Sequence, residues 1–242
     1  MIAITKFLKN SPALKVFFVL LVLGTLTFAN GFKNPMMLDD HTFFDEKMRN
    51  MKFLWMQFVP DKNIFLGLKD QKTDVYYRPL AHVIPMLAYA AFHNNVVGHH
   101  LLNMVLLVTA SFMIALLCFC LWGDWRLGLL AGVGYLLHPI NGIMVNYITA
   151  SVFSAQVILM TLSMICIWRA DYLGRLASFF FFALALMCHE TAMALPFYAT
   201  AMVWVMKRED RREKIENRIS ILHHPHCPSL LDYAGNLFFL SS

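Results

Sequence analysis

Several residues in this chain are of types that do chemistry. Asp39 and Asp40 stand side by side, Arg78 sits in a Tyr-Tyr-Arg-Pro-Leu run, and His189-Glu190 lies between two apolar blocks. Imidazoles recur as His93, His99-His100 and His138-Pro139. Such side chains move protons, pair with cations or grip anions. Each group also has a plainer reading. Asp39-Asp40 suits a solvated turn, or the N-cap of a helix over His41-Thr42-Phe43-Phe44. His99-His100 suits an interfacial helix start. His138 suits a helix stop, because the residue before a proline leaves the α region. Glu190 is harder to set aside. A carboxylate between apolar blocks is costly unless paired or wetted, and such an acid is a functional candidate by default. Its expected partner is a nearby histidine, Arg78 or a metal. The sequence holds no Gly-rich phosphate loop, HExxH, GxSxG or paired CxxC. The His-His-Pro-His-Cys run at 223–227 has divalent-ion chemistry but no ordered scaffold around it.

The elements that must position these residues are long and apolar. Of 242 residues, 59% are hydrophobic and only 14% charged, against about half and a quarter in a soluble domain. The mean hydropathy is +0.57 and the pI about 9.0. Apolar blocks run over 14–29, 100–122, 127–140, 151–168, 173–188 and 191–206. The net charge of +5 comes from basic residues at the ends of these blocks, which reads as membrane topology and excludes nucleic-acid binding. Four of the five cysteines (Cys118, Cys120, Cys166 and Cys188, but not Cys227) lie inside apolar blocks, so no disulfide framework is expected. The first block follows Lys6, Lys9 and Lys15 and ends at Ala29, a pattern shared with a signal peptide; here it counts as the first span.

One further block, 79–92, has 14 residues and two prolines. As a helix it would reach about 21 Å, short of the roughly 30 Å hydrocarbon core. Charge decides its place. If it does not span, the basic groups Lys6, Lys9, Lys15, Arg126, Arg169, Arg175 and the run from Lys207 to Lys214 all fall on the cytoplasmic side. If it spans, that final run is exported, against the positive-inside rule. The prediction is therefore all-α: a polytopic membrane helix bundle of about six transmembrane helices over 1–206. A large first outer loop, 30–99, contains juxtamembrane helices. The amino terminus and the basic tail, 207–242, are cytoplasmic, and the tail is truncated or poorly ordered.

The motifs then fall into a familiar order: Asn-Gly-Phe…Leu-Asp-Asp (30–40), Tyr-Tyr-Arg-Pro-Leu (76–80), Gly-His-His-Leu-Leu-Asn (98–103), Gly-Tyr-Leu-Leu-His-Pro-Ile-Asn (134–141) and Cys-His-Glu-Thr-Ala-Met-Ala-Leu-Pro (188–196). Over 12–206 this resembles the membrane domain of GT-C glycosyltransferases, and most the branch of transmembrane and TPR-repeat O-mannosyltransferases with its bacterial relatives. The resemblance implies a multi-pass protein of the bacterial inner membrane or endoplasmic reticulum. It implies an inverting transfer of sugar from a polyprenyl-phosphate membrane lipid to an acceptor protein or glycan. Asp39 matches the position of the base and Asp40 that of a second acid or metal ligand, with Mn or Mg as the metal. Arg78, His99, His138 and Glu190 match the substrate-binding positions. The chain departs from the family where His138-Pro-Ile-Asn-Gly replaces a His-Pro-Ile-His-Thr-Glu element, and where His189 replaces a lysine. The family also has nine or more spans, so the chain resembles the amino-terminal half of such an enzyme. The alternatives are a non-catalytic membrane subunit or remnant that binds polyprenyl phosphate, and a transporter built on Glu190 and the histidines.

Overall fold

The computed structural model describes residues 12–36, 40, 54–59, 77–168 and 171–205. The chain divides into two units, Met1–Pro196 and Phe197–Ser242. Of the second, residues 197–205 are described, and they are helical. Among the described residues there is no strand.

In the first unit, α1 (Pro12–Phe28) runs into a 3-10 turn, Ala29–Lys33. A second 3-10 turn, Trp55–Phe58, precedes α2 (Pro79–Phe92). Then come α3 (Val96–Trp122), α4 (Trp125–Leu136), the short α5 (Asn141–Asn146) and a 3-10 turn, Ile148–Ala150. The unit closes with α6 (Ser151–Trp168), α7 (Tyr172–Cys188) and a 3-10 turn, Glu190–Ala194. The boundaries follow from local chemistry. Asn95 caps α3 by accepting from the Gly98 N–H at 3.3 Å. Gly123 ends it in the left-handed region, φ 71°, where a Cβ would be strained. Asp124 at once caps α4, accepting from Arg126 N–H at 2.8 Å, and Asp171 caps α7 through Gly174 N–H at 2.8 Å.

Among the described residues, three stretches are long and apolar enough to cross a membrane: Pro12–Lys33, Val96–Trp122 and Ile148–Trp168. The apolar block at 127–140 yields less helix than its length allows. It ends at Leu136, and the chain turns through His138-Pro139 into α5. At about 1.5 Å per residue α4 is near 18 Å long. The block at 191–206 likewise opens as a 3-10 turn rather than as α-helix.

Small residues set the helix spacing. A Cβ on Gly128 would lie 2.6 Å from the Ala115 carbonyl oxygen, and one on Gly132 3.0 Å from that of Ser111. Two pairs spaced four apart, Gly128/Gly132 and Ser111/Ala115, thus let α3 and α4 meet backbone to backbone. Leu20, Leu107, Val108, Leu136 and Val145 fill the core that α1 shares with them. Ser163 and Ser178 bond at 2.9 Å between α6 and α7. The outward row Leu14, Phe18, Val22 and Leu26 on α1 remains exposed at helical spacing, a face suited to lipid.

Alternate helix ends gather at one end of the unit. There the carbonyl of Asn34, just past α1, meets His100 in the second turn of α3, and Gln156 in the second turn of α6 meets His189 just past α7. Both ends of α2 touch this same end: Arg78, before it, pairs with Glu190, and Phe92 packs on His99 with ring centroids 5.7 Å apart. So α2 lies across the bundle end. The opposite end carries Lys15 at the start of α1, Arg126 at the start of α4 and Arg175 at the start of α7.

Candidate functional site

The chain enters α2 through Tyr77, whose hydroxyl donates to the Phe58 carbonyl at 2.9 Å and fixes the approach to Arg78. The Arg78 guanidinium then forks onto the Glu190 carboxylate. Its Nε donates to Oε2 at 2.7 Å and its Nη2 to Oε1. Glu190 starts a 3-10 turn, and His189 before it is extended, φ −162° and ψ 145°, so the helix breaks between Cys188 and Glu190. The His189 carbonyl accepts the Ala192 N–H of that turn at 3.2 Å. Gln156 adds a second donor, its side-chain NH₂ donating at 3.0 Å to the carbonyl and at 2.9 Å to the Thr191 hydroxyl.

His189 completes the group. Its Nδ1 accepts from the Thr191 backbone N–H at 3.3 Å, which places the neutral ring's proton on Nε2, 3.7 Å from Glu190 Oε1. Burial holds the ring below its ordinary pKa; the Arg78 charge acts in the same direction and Glu190 opposes both. The hydrogen bond from Arg78, and then its own backbone N–H, hold Glu190 below its ordinary 4.5. A depressed carboxylate lends stability above its unfolded value and loses it as pH falls through the folded one. The ion pair is therefore formed at neutral pH and opens only below the ordinary carboxylate range. The side chains of Arg78 and Glu190 remain 27% and 44% exposed, so a solute can reach both.

A second polar group ties the same end together. Asp40 is fully buried, with Oδ1 accepting from Thr149 N–H at 3.1 Å and Oδ2 from Ile148 N–H at 3.4 Å. It caps the 3-10 turn that leads into α6. Asn103 donates to the Tyr147 and Ile148 carbonyls at 2.9 and 3.3 Å. Buried His100 lies between two carbonyl oxygens, Val145 at 2.8 Å and Asn34 at 3.1 Å; a neutral ring donates to one, a protonated ring to both. Asn34 in turn donates to the Asn146 side chain at 2.9 Å. A depression of about 290 Å³ beside Asn146 is lined by Pro139, Gly142, Ile143 and Tyr147.

The residues singled out in the sequence thus part company. Arg78 and Glu190 meet directly. Both Asp40, at 148–149, and the His189-Glu190 corner, through Gln156, are anchored to the first turns of α6 or the turn just before it. His99 is buried and turned inward, its Nε2 2.9 Å from the carbonyl of His93, which adopts a positive φ of 50° to present it. His138 is exposed, with a local bond from Ile140 N–H to its Nδ1 at 3.4 Å. Asp39 and the 223–227 run lie outside the described residues. For a divalent metal, the fit is poor: Asp40 turns both oxygens onto backbone amides, and no group of three or more His, Cys, Asp and Glu converges among the described residues. Gln156 escaped the sequence reading, although an amide inside an apolar helix is itself a signal that it has a partner. Comparisons with known protein families, with curated proteins and with solved structures give no match to this chain.

Proposed function

We propose that this chain is a membrane glycosyltransferase, or the amino-terminal half of one, that moves a sugar from a polyprenyl-phosphate donor to an acceptor hydroxyl on the non-cytoplasmic face. One observation carries the reading: a reachable guanidinium, Arg78, held beside His189 at the bundle end to which Asp40 is pinned. Six spans place that end outside, with 30–99 as the outer loop and both termini cytoplasmic. The position of Lys15, Arg126 and Arg175 at the opposite end supports that sidedness, and so does α2 lying across the end rather than along the bundle.

Asp39 takes the proton of the acceptor hydroxyl as its oxygen attacks the anomeric carbon. The bond from that carbon to the phosphate oxygen breaks, and the phosphate leaves on its lipid with the bonding pair. Arg78 offsets the charge that builds on the leaving oxygens. Asp40 is a positioning residue, since its carboxylate holds the 148–150 turn. The same observation favours a second reading, a non-catalytic subunit that binds polyprenyl phosphate, because one acid of the pair is committed to structure.

The test is transfer by the full chain in vesicles supplied with polyprenyl-phosphate sugars, mannose first, and a hydroxyl acceptor. Asp39→Asn should lower turnover by about 10²–10⁴-fold while donor binding stays near wild type, as expected when a general base is lost. Full turnover in Asp39→Asn would sink the mechanism. Donor binding without transfer by the wild-type chain would select the subunit reading.

A further inference from the structure

The Arg78–Glu190 contact has the form of a ligand complex. A guanidinium that donates through Nε and Nη2 to two oxygens of one carboxylate uses the same parallel fork with which arginine holds two oxygens of a phosphate. Both partners are partly exposed, unlike Asp40 or His100, which are fully enclosed. Glu190 is also a poor anchor for a permanent tie. It sits in a 3-10 turn at a break in the helix rather than inside a packed helix. An exposed ion pair of this sort is worth little to the fold. Its use lies in what it occupies.

We infer that Glu190 stands in the phosphate's place on Arg78, and that a phosphate-bearing ligand binds this chain by exchange, displacing the carboxylate from the guanidinium. The inference rests on the reading of Arg78 as the phosphate-binding group. It adds that the empty site is self-capped: Arg78 keeps an anion at all times, and apparent affinity is reduced by the fraction of molecules in which Glu190 holds it. The displaced carboxylate has His189 Nε2 within 3.7 Å to turn to. Because the pair stays ionised down through the ordinary carboxylate range, the exchange operates throughout the neutral pH range.

The experiment measures binding of the full chain, in phosphatidylcholine vesicles, to polyprenyl phosphate, with inorganic phosphate as competitor. Glu190→Gln should tighten binding by about two- to fivefold, the range set by the modest coupling of exposed pairs. Arg78→Ala should weaken it by at least about tenfold, as loss of a charged fork does. Competition by inorganic phosphate would show that the phosphate group suffices; failure to compete would assign the site to the lipid-borne headgroup, and either supports exchange. A double-mutant cycle over Arg78 and Glu190, read as thermal unfolding, separates occupancy from simple repulsion. Coupling should be present without ligand and vanish at saturating polyprenyl phosphate. The same cycle run with Glu190→Ala serves if the glutamine variant fails to fold. Coupling that persists with ligand bound, or unchanged or weaker binding in Glu190→Gln, would overturn the exchange while leaving Arg78 as the phosphate group. Wild-type binding by Arg78→Ala would overturn both.

Discussion

At the scale of single residues, the two acids described at this end of the bundle have opposite duties. Asp40 is enclosed and holds two amides; Glu190 is reachable and holds the Arg78 cation. Asp40→Ala should therefore cost about 1–3 kcal/mol of stability by leaving buried amides without an acceptor. Asp40→Asn should cost less, since one oxygen remains. Thermal unfolding in detergent or vesicles reads both, and excess divalent ion should restore neither; rescue by Mn or Mg would return Asp40 to the role of a metal ligand. The capping chemistry of Asp40 was legible in the sequence, but its reach to the amides of Ile148 and Thr149 was not. The helix expected from His41 lies outside the described residues. Residue type announces that a carboxylate will seek N–H groups, and only the packing of α3 against the 148–150 turn decides which. Glu190 was legible further, because the cost of a lone carboxylate between apolar blocks demands a partner and few cations are at hand.

Among the elements, the α3–α4 pair depends on absent side chains. Gly128→Val places atoms where the Ala115 carbonyl already lies, and should lower stability by about 1–3 kcal/mol through overpacking. Gly134→Ala is the control. Nothing stands within 4 Å of its Cβ position, so the change should be neutral or stabilising by up to about 1 kcal/mol. Equal losses in the two variants, measured by thermal unfolding, would mean that helix propensity rather than close approach governs this pair. Helix placement was largely legible, since apolar blocks and Asp or Asn caps mark most boundaries. The ends of the blocks were not. Hydropathy does not register that His138-Pro139 stops α4 early, nor that the block from 191 opens as a tighter turn braced by Gln156.

For the whole molecule, the separation of charge predicts an orientation. Single cysteines placed in 40–75 should react with an impermeant reagent from outside, and those placed in 207–218 only after the cytoplasmic face is opened. Labelling of 207–218 from outside would reverse the sidedness and remove the outer-face site with it. The ties at the bundle end that holds Arg78 and Asp40 carry one more consequence, for the order in which the protein is made. Asp40 reaches its amides across 108 residues, and Asn34–Asn146 and Arg78–Glu190 each bridge 112. A ribosome adding roughly 5–20 residues per second takes on the order of 10 s to supply such a stretch. For that interval the segment before α2 has left the ribosome with none of these partners yet in existence. Arg78 meets its carboxylate only after α7 has been synthesised, so the site is assembled near the end of translation of this unit, and a nascent chain halted before residue 190 carries an arginine with no glutamate to cap it.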